Sequence, residues 1–127
     1  MEKRRVVVTG IGTVNPIGLN AAETWANARA GVCGIGPITR FDTTNFKVKL
    51  AGEVKNFDPE TVIDRREAKK MARFTQMAVA AADEAMKDSG LSIEKDDPAL
   101  ERCGIILSSG IGGLPTLEEE HSPGLAG

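Results

Sequence analysis

Five basic residues crowd into positions 64–73 of a chain that is otherwise slightly acidic. They are Arg65, Arg66, Lys69, Lys70 and Arg73, and only two carboxylates lie among them. The 127 residues together carry a net charge of −2. The last four of the five include pairs separated by three and by four residues, so they can project to one side of a helix. Such a face is either solvated or steers an acidic or phosphate-bearing partner towards the protein.

A second candidate is the glycine-rich turn at residues 109–113, Ser-Gly-Ile-Gly-Gly, which follows an apolar run. Ligands of α/β proteins bind beyond the carboxyl ends of strands, so the position favours a binding role. The turn has neither the Gly-x-Ser-x-Gly pattern of a serine nucleophile nor the Gly-Lys-Ser/Thr of a phosphate loop. Two interpretations remain. In the first, Gly110 and its neighbours line a binding site for an apolar ligand, and Ile111 projects into that site. In the second, the turn has only a structural role.

The pair Gly10-x-Gly12 follows an apolar run and therefore invites a dinucleotide-binding interpretation. That fingerprint needs a third glycine at position 15, where this chain has Asn15 followed by Pro16. A proline there also delays the helix whose N-terminus would hold the pyrophosphate. A tight turn between strand and helix is the favoured interpretation.

Residues that carry covalent or metal chemistry are scarce. Cys33 and Cys103 lie seventy positions apart, and His121 is the only histidine. Without a Cys-x-x-Cys pair or a second histidine, the sequence supports neither a disulfide framework nor a four-ligand zinc site. We interpret both cysteines as structural or incidental and His121 as an exposed side chain, and we predict neither a metal nor a cofactor.

The elements that position these candidates follow an α/β pattern. Two apolar runs, residues 4–9 and 103–108, are predicted to be buried strands. Asn20 with Glu23 predicts the start of a helix that stops at Gly31. A long helix is predicted over residues 64–89, ending at Gly90, with alanines along one face that allow another element to approach closely.

Shorter helices and strands are predicted in the remaining segments. Alternation of apolar residues and lysines predicts a strand with one wet face over residues 46–50. Asp58-Pro59 predicts a helix start with proline just inside. Residues 116–121 look like the opening of a helix that Ser122-Pro123-Gly124 breaks at once.

Composition limits the class of protein. With 41% hydrophobic and 27% charged residues, the chain is neither disordered nor a membrane protein, and its acidity disfavours a nucleic-acid binder. The basic start precedes only three apolar residues, too few for a signal peptide, so a cytoplasmic location is expected. Two buried strands make too narrow a sheet to cover itself, which indicates a fragment of a larger domain.

Three blocks, residues 4–18, 70–91 and 109–114, resemble in order and spacing the amino-terminal part of a β-ketoacyl-acyl-carrier-protein synthase, most like type II. The resemblance implies a thiolase-like α/β fold, layered α-β-α-β-α, in a homodimer. It implies an acyltransferase of fatty acid biosynthesis and lipid metabolism, which condenses an acyl thioester with malonyl-acyl carrier protein by decarboxylative Claisen chemistry. Residues 1–127 would be the incomplete amino-terminal part of that ketosynthase domain, covering only part of its first half.

The resemblance also implies site residues. Arg65, Arg66, Lys69 and Lys70 match the docking patch for acyl- and malonyl-loaded acyl carrier protein. Gly110 and Ile111 match the turn that lines the acyl pocket. The catalytic cysteine and two histidines of the family belong downstream of residue 127, so this segment alone is expected to be inactive. Two alternatives stay open: a stand-alone, non-catalytic module that binds carrier protein, and, less favoured, a nucleotide-binding α/β domain.

Overall fold

The computed structural model describes residues 3–91 and 101–126. Within them the chain forms four α-helices, a two-stranded antiparallel sheet and, between the sheet and the second α-helix, a short 3-10 helix. The α-helices are α1 (Ala21–Arg29), α2 (Arg65–Ala68), α3 (Arg73–Ser89) and α4 (Leu114–Ala126), the strands are β1 (Ile35–Pro37) and β2 (Leu50–Gly52), and the 3-10 helix is Pro59–Thr61. No helix within these residues is long and apolar enough to cross a membrane.

Helix α1 begins and ends where the sequence predicts. The Asn20 side chain accepts a hydrogen bond of 2.8 Å from the backbone N–H of Glu23, which satisfies one of the free donors of the first turn. The Glu23 carboxylate reaches back and accepts from the N–H of Leu19 at 2.7 Å. Gly31 lies just past the end with a φ of +70°, a conformation that glycine adopts at little cost.

The predicted helix over residues 64–89 is wrong in one respect, because it is divided into α2 and α3. Residues 69–72 between them are not helical, and Ala72 is extended, with φ −63° and ψ 151°. The N–H groups of Lys70 and Met71 donate to carbonyls only three residues back, which tightens the end of α2 and turns the chain out of it. The predicted C-terminal glycine is confirmed: Gly90 has a φ of +66°.

The small sheet joins two segments of the loop-rich region between α1 and α2. Ile35 pairs with Gly52, and Pro37 pairs with Leu50, in antiparallel register. The predicted strand over residues 46–50 therefore lies two to four residues too early in the chain. Upstream, Phe46 packs its ring edge-on against Phe41, with centroids 5.4 Å apart.

The two long apolar runs do not form the predicted buried strands. Residues 4–9 and 103–108 have no regular secondary structure, and Val6, Ile105 and Ile106 are 93%, 95% and 99% exposed. A strand needs a neighbour for its backbone hydrogen bonds and a covering layer for its side chains, and the described residues provide neither to these runs.

The predicted break in the last helix is also wrong. Helix α4 starts at Leu114 and continues through Ser122, Pro123 and Gly124 to Ala126. A proline removes one backbone donor, and the helical bonds on either side carry the chain past it.

The N-terminal loop lies directly on the alanine face of α3, as the small side chains of that face allow. A Cβ atom at Gly12 would lie 2.7 Å from the backbone nitrogen of Ala85, so only glycine fits this approach. Two carboxylates of α3 bind the loop. Glu84 accepts hydrogen bonds from the N–H groups of Thr13 (2.9 Å) and Ala21 (2.8 Å), and Asp88 accepts one from Ile11 (2.9 Å).

Replacement of Glu84 by glutamine tests how strongly its carboxylate holds the N-terminal loop on α3. The new side-chain amide would present an N–H₂ group to one of the two backbone donors, so one N–H loses its acceptor. In the whole protein, Glu84→Gln is expected to lower the free energy of unfolding by about 1–3 kcal/mol, the cost of an unsatisfied, partly buried donor. Amide exchange at Thr13 and Ala21 should accelerate.

The matched control is Asp83→Asn, next to it on α3. Asp83 pairs with Lys87 on the surface at 2.6 Å, and such a pair contributes about 0.5 kcal/mol. Equal destabilisation by both variants, or an unchanged rate of amide hydrogen exchange at Thr13 in Glu84→Gln, would contradict this role of Glu84.

A third carboxylate links the two segments that follow the strands. Glu53, directly after β2, accepts hydrogen bonds from the N–H (3.0 Å) and the hydroxyl (2.8 Å) of Thr39, which follows β1. The backbone bond from Thr39, and then its hydroxyl, lowers the pKa of Glu53 because both bonds favour the charged form. Glu53 therefore stabilises the fold above its unfolded pKa, and this contribution is lost as the pH falls through the lowered value.

Thr39→Val keeps the size of the side chain and removes the hydroxyl. The pKa of Glu53 should rise part of the way to its ordinary value, since the backbone bond remains. The titration of the side-chain carboxyl carbon by NMR measures this shift. Asp42 serves as an internal control, because Thr44 lowers its pKa independently of Thr39; an unmoved Glu53 pKa would show that the Thr39 hydroxyl does not stabilise the charged form.

Candidate functional site

The basic stretch starts at a short helix with its own cap. The side chain of Asp64 accepts a 2.8 Å hydrogen bond from the N–H of Arg66 and so starts α2. Ile63, before the cap, and Ala68, the last residue of the helix, are 6% and 4% exposed and belong to the small core. Core packing on the inner side of α2 thus leaves its charged residues on the outside.

All four predicted docking residues, Arg65, Arg66, Lys69 and Lys70, are exposed. Two of them already have acidic neighbours. Arg65 lies 3.5 Å from the carboxylate of Glu60, and Lys70 lies 2.7 Å from that of Glu67. Arg66 and Lys69 form no ion pair within the described part of the chain.

Arg73 does not share the face of the docking residues. It opens α3, beyond the non-helical residues 69–72, and is half-buried. Its guanidinium lies over the ring of Phe57, 5.1 Å from the centroid, and donates a 3.2 Å hydrogen bond to the Phe57 carbonyl. Residues spaced by three and four share a face only along a continuous helix, so the prediction that this face extends from Lys70 to Arg73 is wrong.

The connection between α2 and α3 is held by a residue that the sequence analysis missed. The side-chain nitrogen Nε2 of Gln76 donates to the carbonyl of Ala68 at 2.8 Å and to that of Met71 at 3.3 Å. Gln76 is the only amide side chain of α3, and this is the one signal that the sequence offers.

The glycine-rich turn rests on the start of α3. Gly112 has a φ of +84°, and its N–H donates to the hydroxyl of Ser109 at 3.0 Å. A Cβ atom at Gly113 would lie 2.9 Å from the Cβ of Ala72, so the turn touches the residue that precedes α3. A Cβ atom at Gly110 would point into open space, with no atom beyond its chain neighbours within 4 Å, and Ile111 is 74% exposed.

A cavity of about 220 Å³ lies between the turn and the first residues of α3. Ala72, Phe74 and Met77 line it on the helix side, and Gly112 and Gly113 line it on the turn side. Gly110 and Ile111 are not among its lining residues. The structure therefore brings the turn and the basic stretch to the same end of α3, and it leaves the two predicted pocket residues on the outer edge of the turn.

The geometry of the N-terminal loop disfavours the nucleotide-binding alternative. The N–H groups of Ile11, Thr13 and Ala21, which would hold a pyrophosphate, are already bonded to the carboxylates of Asp88 and Glu84. Two carboxylates at this position would repel a phosphate group.

Neither the cysteines nor the histidine lines the cavity beside the glycine-rich turn. Cys33, Cys103 and His121 are exposed. Within residues 3–91 and 101–126, no cluster of histidine, cysteine and carboxylate side chains is arranged to hold a metal ion.

Comparison with known proteins identifies the family of the chain. The sequence profile described as "Beta-ketoacyl synthase, N-terminal domain" matches residues 3–125. The 3-oxoacyl-acyl-carrier-protein synthase 2 of Staphylococcus aureus (strain N315) is 50% identical over 120 residues, 94% of this chain and 28% of that protein. Its namesake from Coxiella burnetii is 43% identical over 121 residues, 95% of this chain and 29% of that protein. The chain thus spans less than a third of the length of these relatives.

Comparison with solved structures finds a protein of the same kind. A solved structure described as "The ishigamide ketosynthase/chain length factor" matches with a TM-score of 0.65 and 45% sequence identity. The match covers 72% of this chain and 23% of that chain, and it confirms the expected thiolase-like α/β class, of which this chain covers a part. In sequence and in fold, the chain belongs to the beta-ketoacyl synthase family, within its N-terminal domain.

Proposed function

We propose that residues 1–127 form the amino-terminal part of the ketosynthase domain of a β-ketoacyl-acyl-carrier-protein synthase of fatty acid synthesis. The whole enzyme would condense an acyl thioester with malonyl-acyl carrier protein in a decarboxylative Claisen reaction. The observation that carries the proposal is the 50% identity to a 3-oxoacyl-acyl-carrier-protein synthase 2 over 94% of this chain.

In this proposal the bond-making residues lie outside the segment. A cysteine thiolate would take the acyl group as a thioester, and two histidines would assist decarboxylation and stabilise the developing negative charge. Cys33, Cys103 and His121 receive no catalytic role, because they do not match the positions of the family's catalytic residues. Residues 1–127 alone are expected to form no ketoacyl product.

The proposed role of the basic stretch is to dock the acidic carrier protein. Support comes from the exposure of Arg65, Arg66, Lys69 and Lys70 and from the cap and core packing that fix α2 beneath them. Arg66 and Lys69, which form no ion pair within the described residues, are the more available for carboxylates of the partner. Arg65 and Lys70 would first have to break their ion pairs with Glu60 and Glu67 before they could bind carboxylates of the partner. At a solvated surface, this costs little free energy.

The proposed role of Gly110 and Ile111 is to line the acyl pocket of the whole enzyme. Gly112 and Gly113 fix the turn on α3, while Ile111 projects from its outer edge. An apolar side chain on a fixed turn is suited to limit how far an acyl chain can extend.

The exposed apolar runs favour this proposal over a stand-alone carrier-protein module. Val6, Ile105 and Ile106 are almost fully exposed. Apolar patches of this kind in a soluble protein mark surfaces that another element covers. We propose that the remainder of the ketosynthase, within a homodimer, covers them.

Charge reversal tests the docking role. In the whole enzyme, Lys69→Glu combined with Lys70→Glu is expected to raise the KM for the carrier-protein substrate about tenfold or more, because attraction to an acidic partner becomes repulsion. The dependence of binding on salt should weaken, while turnover of a small acyl thioester without carrier protein stays unchanged. Steady-state kinetics at several salt concentrations measure both effects.

The matched control reverses the same number of charges elsewhere. Lys47 and Lys49 are exposed in the loop before β2. Lys47→Glu with Lys49→Glu should leave the carrier-protein KM within about twofold of its original value. An equal rise in both double variants would mean that net charge, not the α2 surface, attracts the carrier protein.

A larger side chain at position 111 tests the pocket role. Ile111→Phe in the whole enzyme should shift products towards shorter chains and lower kcat/KM for the longest acyl substrates by about tenfold, since overpacking costs about 1–3 kcal/mol. Chromatography of the acyl products measures the shift. Leu117→Phe, at an exposed position on α4, should not change the distribution; an unchanged distribution in Ile111→Phe would remove Ile111 from the pocket.

A further inference from the structure

The connection that carries Lys69 and Lys70 has little backbone bonding of its own. The N–H of Lys70 donates to Glu67 at 3.0 Å, and the N–H of Met71 donates to Ala68 at 3.2 Å, both only three residues back. Ala72 is extended and provides no side-chain cap for α3. Carbonyls at the end of a helix need outside donors to stay fixed.

Gln76 supplies those donors on both sides of the two lysines. One bond from its Nε2 goes to the carbonyl of Ala68, directly before Lys69, and the other goes to that of Met71, directly after Lys70. A side-chain amide carries two N–H donors, so it can make both bonds at once. Gln76 is half-buried in the first turn of a helix of 17 residues, which makes it a stable anchor.

We propose that Gln76 is a positioning residue for carrier-protein docking: its side chain holds the 69–72 connection so that Lys69 and Lys70 are presented in a fixed arrangement. This inference rests on the proposed docking function of the basic stretch. A segment that is ordered before binding loses less conformational entropy when the partner arrives, so the affinity is higher. Gln76 has no contact with the partner and acts only through the lysines.

The test replaces Gln76 with methionine in the whole enzyme. Gln76→Met preserves the length and packing of the side chain and removes both donors. The KM for the carrier-protein substrate should rise about three- to tenfold, as expected for the loss of one or two hydrogen bonds. The kcat should stay unchanged, and so should the KM for the same acyl group on a pantetheine thioester. The surface variant Asp83→Asn, also on α3, should change none of these values.

A double-mutant cycle separates positioning from a general structural role. In the background of Lys69→Ala and Lys70→Ala, the Gln76→Met change should raise the carrier-protein KM no further, because the groups it positions are gone. The same rise in both backgrounds would overturn the inference. So would a parallel loss with the pantetheine substrate, which would indicate general damage to the fold.

The lysine variant by itself distinguishes failure of the docking function from failure of the positioning role. If Lys69→Ala with Lys70→Ala raises the carrier-protein KM and Gln76→Met does not, the docking function stands and the positioning role is overturned. If the lysine variant leaves that KM unchanged, the docking role of these lysines is overturned and the positioning role is overturned with it.

Discussion

The Glu84 carboxylate is the interaction on which the described structure most depends. Its two oxygens bind the N–H of Thr13 and the N–H of Ala21, and so join the N-terminal loop and the start of α1 to α3. A carboxylate near the first turn of α1 also suits the positive end of the helix dipole. The approach requires backbone contact, which Gly12 on the loop and alanines on the helix allow. In this family member, glycines after the first apolar run thus serve packing against a helix and do not cradle a phosphate.

Helix α3 supports both candidate sites from its first two turns. Gln76 fixes the connection that bears the lysines, and Arg73 fixes Phe57 ahead of the 3-10 helix and α2. Ala72 and Phe74 support the glycine-rich turn from the other side. Helix α3 therefore supports both the proposed docking surface and the turn that would line a pocket. Because both rest on one helix, their relative position stays constant.

The sequence predicts local features of this fold well. The caps at Asn20 and Gly90 and the alanine face of α3 follow from short-range chemistry, and all are observed. The prediction fails where the outcome depends on distant partners. The runs at residues 4–9 and 103–108 have the composition of buried strands, but a strand forms only where another strand accepts its hydrogen bonds. The exposed charges of Arg65 to Lys70 could likewise be predicted, whereas the inward turn of Arg73 depends on a helix break that charge spacing does not encode.

The length of chain between Glu84 and its partners has a consequence for how the protein folds during synthesis. Thr13 and Glu84 are 71 residues apart in sequence, and Ile11 and Asp88 are 77 apart. At about 5–20 residues per second on the ribosome, the N-terminal loop waits roughly 4–15 s before its carboxylates exist. During that interval the loop is not held on α3, and the apolar run around Val7, which is exposed in the described structure as well, is open to aggregation. Lys3, Arg4 and Arg5 stand directly before this run, where charges keep an exposed apolar strand from associating with other chains.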